Sequence, residues 1–295
     1  MRQIILSAGE TPQRLETFLK RRFPIGYVRK LLRKNGVRIN GRRAKAGDLV
    51  QAGDRVQLYL PFPGENQSAD VQPLRFDVVF EDESILVIDK PAGIAVHEGK
   101  TVRKRESILG ILENYYRDST TQPRLVHRLD QDTSGLLLVA KNQQAHDDLL
   151  ELFDSGEVGK EYLSLVAGRV PDNKGKIDLP LPGREGKLVR ALSRYRVLQR
   201  FAETTLVRVI IETGRLHQIR LHFAKLGHPV VMDDQHGDFG FNKRFRKQTG
   251  LRRQFLHAHR LRLAYGGRPH QWTAPLPDDL RKTLTSLGAR RGQDF

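Results

Sequence analysis

The chain of 295 residues contains no cysteine, two methionines and one tryptophan. Without thiols it can form no disulfide, thiolate nucleophile, iron–sulfur cluster or cysteine-ligated zinc. Long apolar runs are also missing. The stretch from Gly135 to Ala140 is among the longest, far short of the roughly 20 residues a membrane-spanning helix needs. The first residues do not read as an apolar leader, so a soluble, cytoplasmic protein is expected. Acidic side chains are scarce relative to basic ones, 34 against 51, leaving a formal net charge of +17. With 38% apolar residues the chain can still build cores, so wholesale disorder is excluded and the expected partner is acidic. At roughly 100–200 residues per domain, two domains are expected.

The charge is unevenly spread. The first 65 residues hold 14 Lys and Arg against 5 Asp and Glu. Thr11-Pro12 reads as a helix start. Leu15, Phe18 and Leu19 recur at helical spacing, and Val28, Leu31 and Leu32 form a second apolar stripe closed by Gly36. Val37-Arg38-Ile39 alternates like a strand before the turn pair Asn40-Gly41. Beside the stripes lie Arg21, Arg22, Arg29, Lys30, Arg33 and Lys34, a basic platform suited to phosphates. From Gln13 to Val56 this stretch resembles the S4 RNA-binding domain, with Glu16 where Asp is more usual. The expected organisation is an S4-like RNA-binding domain over 1–61, a linker over 62–73, a catalytic domain over 74–288 and a tail over 289–295.

Beyond Leu74 the pattern shifts to longer apolar strands. Phe76 to Phe80, Ile85 to Ile88, Leu136 to Ala140, Tyr162 to Val166, Leu206 to Ile211 and Leu256 to Leu263 read as strands, and Ser107 to Tyr116 and Asn142 to Phe153 as helices. Strands outnumber helices and lack a strict βαβ rhythm, so the expected class is α+β, with a mixed, largely antiparallel sheet.

The segment His127-Arg128-Leu129-Asp130-Gln131-Asp132-Thr133-Ser134-Gly135 gathers charged and hydroxyl side chains in one polar turn between apolar strands. It could be a turn held by Asx-type hydrogen bonds from Asp132, Thr133 and Ser134. A Ser134/His127/Asp130 triad has the right residue types but no Gly-x-Ser-x-Gly elbow. Asp130 and Asp132 share too short a turn to flank a sugar from both sides. Among the ten histidines, His217 and His222 are five apart, which on a helix puts them roughly 140° off a common face, unlike a metal-ligand pair. No metal site is expected.

The same segment resembles the signature of the RluA-type pseudouridine synthases, His-Arg-Leu-Asp-x-x-Thr-Ser-Gly. Further stretches are similar to that family's other motifs: Asp89-Lys90-Pro91-Ala92-Gly93 to His97, Lys160-Glu161-Tyr162, Thr213-Gly214-Arg215-Leu216-His217-Gln218-Ile219-Arg220-Leu221-His222 with Gly227-His228-Pro229, and Phe255-Leu256-His257-Ala258. Within the family, the stretches Asp233 to Asp238 and Gly250 to Ala258 look most like the members acting on large-subunit ribosomal RNA. His236 stands where those have Tyr, and Ser193 where many have Thr.

The resemblance implies an isomerase that breaks a C–N glycosidic bond, turns the uracil and forms a C–C bond. That reaction involves no net redox change and no cofactor. Asp130 maps onto the family's aspartate, acting as nucleophile toward the sugar or as base at C2′. Arg220 would form a bidentate ion pair with it, and Tyr162 would stack on the uracil and handle a proton. Arg128 would fill the space left by the extruded nucleotide, with a salt bridge to Asp132 as its alternative. His127, Arg215 and His217, with Arg29, Lys30, Arg33 and Lys34, are the expected RNA contacts. The implied partner is large-subunit ribosomal RNA, bound by a monomer without a membrane; a transfer-RNA enzyme of the family and a non-catalytic ribosome-associated factor are the alternatives.

Overall fold

The computed structural model describes residues 12–20, 28, 31–59, 76–99, 102–183 and 186–289, and the backbone of 2–5. The chain divides into two compact units, 1–73 and 74–295.

The first unit carries β1 (Arg2–Ile5), β2 (Gln13–Arg14), α1 (Leu15–Lys20), β3 (Val37–Ile39), β4 (Arg42–Arg43), β5 (Leu49–Val50) and β6 (Arg55–Leu58). Four of these strands form an antiparallel sheet in the order β1-β6-β3-β4, and β2 pairs with β5. The helix expected to start at Thr11-Pro12 therefore begins later, at Leu15, because Gln13 and Arg14 enter a ladder instead. Leu15, Phe18, Leu19, Val28, Leu31, Val37 and Val56 belong to the core of this unit. The second apolar stripe is closed by Asn35 rather than by Gly36. Asn35 takes the left-handed φ of 51° while the Gly36 N–H donates to the Leu31 carbonyl at 2.8 Å. Asn40 and Gly41, at φ 49° and 82°, make the hairpin turn that a two-residue connection demands. Arg33 and Lys34 are exposed, whereas Arg21, Arg22, Arg29 and Lys30 lie outside the described residues, as do the expected linker 62–73 and the tail beyond Ala289.

The second unit is α+β. Its elements are β7 (Asp77–Glu81), β8 (Ile85–Lys90), α2 (Ile108–Tyr115), β9 (Arg124–Leu125), β10 (Ser134–Ala140), α3 (Gln143–Ser155), β11 (Gly159–Ala167) and β12 (Lys174–Asp178). They continue with β13 (Leu181–Pro182), β14 (Leu188–Val189), β15 (Leu192–Arg200), β16 (Thr204–Ile211), α4 (Gln218–Lys225), α5 (Phe239–Thr249), β17 (Leu256–Tyr265), β18 (Arg268–Thr273) and α6 (Asp278–Ser286). Ten strands form one sheet in the order β12-β15-β16-β11-β17-β10-β8-β7, with β18 beside β17 and β9 beside β10. Every pairing in it is antiparallel except β10 with β17.

Both faces of the central strands are covered, which is why they read as unbroken apolar runs. Leu86, Ile88, Leu137 and Val139 point into one core with Ile108, Leu112, Ile219 and Phe223 from α2 and α4. Their neighbours Val87, Leu136, Leu138 and Ala140 point into the opposite core with Ala145 and Leu149 of α3. A third core joins α5 and α6 to the sheet through Phe241, Phe245, Leu280, Leu284 and Leu165.

The parallel pair needs one glycine. Gly135 has φ 110°, and a Cβ there would lie 2.2 Å from the Ala258 carbonyl oxygen, so no side chain fits where β10 and β17 meet.

Candidate active site

The loop from Val126 to Thr133 leaves β9 and re-enters the sheet at β10. Its shape is held from three directions. From β8, the wholly buried Lys90 ammonium donates to the carbonyls of Pro91, Ile94 and Gln131 at 3.0, 2.8 and 2.9 Å. Burial pushes the Lys90 amine down to about 7, but three acceptors match the three protons of the charged form. Gly93 and Gln131 exchange two further hydrogen bonds across the same gap.

From the segment before β17, Gln254 Nε2 donates to Thr133 Oγ1 at 2.8 Å. Arg253 Nη1 donates to the Asp132 carbonyl at 3.3 Å and to Ser134 Oγ at 3.2 Å. Arg253 is aimed by a two-pronged pair with Asp279 of α6, at 2.7 and 2.9 Å. Ser134 is wholly buried and bonds His257 Nδ1 at 3.0 Å, so the serine triad considered above is not assembled.

The third direction is α4, which brings Arg220 to the loop. The sequence led us to expect the Arg220 fork on Asp130. The structure instead gives the fork to Asp233, with Nε–Oδ2 and Nη2–Oδ1 both at 2.7 Å, while Arg220 Nη1 makes a single bond of 3.0 Å to Asp130 Oδ2. The fully buried Asp233 side chain occupies the planar Nε–Nη2 edge, which leaves Nη1 alone to reach the loop. Burial alone would raise the Asp233 carboxyl. The Arg220 bonds and the backbone N–H groups of His236 and Gln235 outweigh it and hold the group below the ordinary carboxylate range. Asp233 thus aims Arg220, and Arg220 presents one N–H and a positive charge to Asp130, whose side chain is 17% exposed.

His217 sits on the other side of Asp130, its Nε2 3.8 Å from Oδ1 and its Nδ1 3.0 Å from His236 Nε2. It holds a left-handed φ of 51°, a conformation rare outside glycine and frequent at functional sites. Burial, opposed by the Asp130 charge, keeps His217 below the usual imidazole range. The preceding turn is fixed by Gln218, which accepts from Thr213 Oγ1 and the Arg215 N–H and donates to the Leu192 carbonyl and Ser193 Oγ. Ser193, the residue that stands where Thr is commoner, also bonds His222 Nδ1 at 2.9 Å.

Asp130, Tyr162, Arg220, His217, Arg215, Arg128 and His127 all line one cavity of about 300 Å³. Tyr162 is buried to 8% exposure, and burial together with the Asp130 charge drives its phenol well above the ordinary range, so it is neutral near pH 7. Arg128 is exposed and makes no ion pair with Asp132 among the described residues. Arg215 is exposed at the rim, with Nε on the Arg190 carbonyl. His127 faces its own domain: its Nε2 accepts the Leu138 N–H at 2.9 Å and its ring stacks on Phe153. Burial pushes it down to about 3, so it carries no charge for a phosphate. Among the described residues no three His, Cys, Asp or Glu side chains gather as a metal ion would require. Lys90, Gln218, Asp233 and Arg253 all fall within the motif stretches named above, but the sequence assigned a role to none of them. The one signal beyond the motifs was at Lys90, a basic residue closing the apolar strand that starts at Ile85.

The buried His257 and the half-buried His127 give the fold a pH signature. Burial pushes His257 down to about 4, and His127 down to about 3, against about 6.5 in an unfolded chain. Between those values the unfolded chain holds more protons, so their contribution is full above about pH 6.5 and declines as pH falls toward 4. The melting temperature should fall between pH 7 and pH 5. A His257→Gln variant, less stable at pH 7, should lose less over that interval; equal losses in both proteins would show that His257 titrates normally.

Asp130, beside a fixed cation and a buried aromatic, lies in a cavity of about 300 Å³, too small to enclose a folded polymer. In comparison with known proteins, residues 84–225 match the family model described as RNA pseudouridylate synthase, and residues 13–56 match the S4 domain. The chain belongs to the RNA pseudouridylate synthase family. It is 34% identical to ribosomal large subunit pseudouridine synthase C of Escherichia coli K12, covering 96% of each chain. It is likewise 34% identical to the protein of that name from Vibrio cholerae, covering 93% of each. Among solved structures, human RNA pseudouridylate synthase domain containing 4 shares the fold at a TM-score of 0.61 and 23% identity, over 71% of this chain and 92% of that one. Among the described residues no helix is long and apolar enough to cross a membrane.

Proposed function

We propose that the protein isomerises uridine to pseudouridine in large-subunit ribosomal RNA, with Asp130 as the reacting carboxylate. The observation that carries this reading is the placement of Asp130 in the cavity, joined to a guanidinium that Asp233 already holds. During the reaction the N1–C1′ bond breaks, the C5–C1′ bond forms, C5 loses a proton and N1 gains one, so no external oxidant or cofactor is needed. Attack at C1′ and proton removal at C2′ both require Asp130 as the anion, and Arg220 supplies the matching charge. Tyr162 offers a flat neutral ring on which uracil can stack, and a phenol that can exchange a proton. The target must leave its helix at a cost of a few kcal/mol, and the exposed Arg128 at the rim is free to occupy the gap.

The ribosomal substrate is supported by the names of the relatives, which match this chain over nearly its whole length, and by the basic N-terminal unit. A ribosomal substrate fits a cytoplasmic enzyme that works as a single chain. In a strain lacking the gene, pseudouridines should disappear from specific positions of large-subunit RNA and return with the wild-type gene. An unchanged large-subunit map, or losses confined to transfer RNA, would reject the ribosomal assignment.

A further inference from the structure

Helix α5 presents an unusual surface. Its inward side is apolar through Phe241 and Phe245, and Asn242 ties it to the site by accepting the Met232 N–H and donating to the Asp233 carbonyl, both at 2.8 Å. Its outward side carries Lys243, Arg246 and Lys247, all exposed and none in an ion pair among the described residues. No acidic residue occurs from Phe239 to Gln254. At the start of the helix Phe239 is 84% exposed, the most exposed of the large hydrophobic side chains described. At roughly 100° per residue, Phe239, Lys243, Arg246 and Lys247 fall within an arc of about 100°, a single stripe roughly 12 Å long.

Folding does not explain this stripe. Lys243 and Lys247 repel each other at i, i+4, and Phe239 leaves its ring in water. Helix α3 shows the opposite choice, with Asp147, Glu151 and Asp154 exposed on its outer side. We infer that the outer stripe of α5 is an RNA-binding surface that grips the strand flanking the target uridine, with Phe239 stacking on a neighbouring base and Lys243, Arg246 and Lys247 contacting successive phosphates. Charge complementarity selects a polyanion, and the exposed ring beside the cations selects one with unstacked bases. Location selects the flank of the target. Phe239 follows His236 by three residues, which limits their separation to about 10 Å, and His236 touches His217 beside Asp130.

This inference rests on the reading that the substrate is RNA, and its test separates the two. Phe239→Ala, Phe239→Trp, a triple variant with Lys243, Arg246 and Lys247 changed to Gln, and a control triple with Lys174, Arg196 and Arg268 changed to Gln are compared on one large-subunit RNA transcript. Binding is measured across a salt series and pseudouridine formation at one salt. The α5 triple should lower the slope of log K against log salt by about 2, near 0.7 per contact on single-stranded RNA. Phe239→Ala should raise KM about tenfold, as the loss of one stacked base would, with the loss restored by Phe239→Trp, and the control triple should match wild type. Equal slopes in the two triples, or a Phe239→Ala variant with wild-type KM and affinity, would overturn the inference. A wild-type protein that forms no pseudouridine would instead reject the functional reading, while the binding slopes would still judge the helix.

Discussion

Asp130→Asn should fold, bind RNA and form no measurable pseudouridine. The substitution keeps the size and shape of the side chain, and the amide oxygen can still accept the bond from Arg220 Nη1 that the carboxylate accepts at 3.0 Å. What disappears is the negative charge, and with it any capacity to attack the sugar or remove a proton. A group acting directly on the reacting atoms is worth a factor on the order of 10³ or more. Loss of a charge next to Arg220 should perturb stability far less, because Asp233 still neutralises that guanidinium. Tritium release from C5-labelled uridine gives the rate, and a salt-matched binding curve gives the affinity. Turnover within about tenfold of wild type, against the thousandfold loss expected of a reacting group, would remove Asp130 from the chemistry.

The second large effect is expected at the Arg220–Asp233 pair, and it should fall on both stability and rate. Arg220 is 4% exposed, and Arg220→Ala would leave the Asp233 side chain, with no exposure at all, and much of Asp130 without a counter-charge. Removing one partner of a buried pair costs about 3–5 kcal/mol, so the variant should melt well below wild type and be inactive. Arg220→Lys retains the charge but has no planar fork to divide between two carboxylates. It should recover part of the stability and little of the rate. Asp233→Asn provides the complementary test, since it spares Arg220 and Asp130 and removes only what aims one at the other. If its kcat is unchanged, Asp233 merely packs; a large fall in kcat with a smaller change in KM would identify it as the residue that positions the cation.

What could be read from the sequence depended on how each residue announces itself. Strands β8, β10 and β16 are apolar on both faces and stood out, and the polar loop between β9 and β10 was visible as the place where chemistry is displayed. Strand β15 did not stand out, because it alternates Ser193, Arg194, Tyr195 and Arg196, half of it facing solvent. Helix α5 was hidden by its dense positive charge, and α6 by the lack of a long apolar stripe. Within the site, Asp130, Tyr162 and Arg220 came from motifs, and the structure gathers them around one cavity. Their supports were not legible: whether the Arg220 fork goes to Asp130 or to Asp233 depends on where a loop lies in space, and Arg253 reaches Ser134 across 119 positions of chain.

The junction at Gly135 also governs when the enzyme can come into being. Strand β10 has its parallel partner in β17, and the buried bond from Ser134 to His257 spans 123 residues. On a ribosome that emits the chain from its N-terminus, the loop bearing Asp130 is synthesised long before the strand that closes its far side. The nascent protein must therefore carry an incomplete site until β17 has emerged. Nascent chains and fragments ending before β17 should be inert toward RNA chemistry, so the capacity to modify RNA arrives only with that strand.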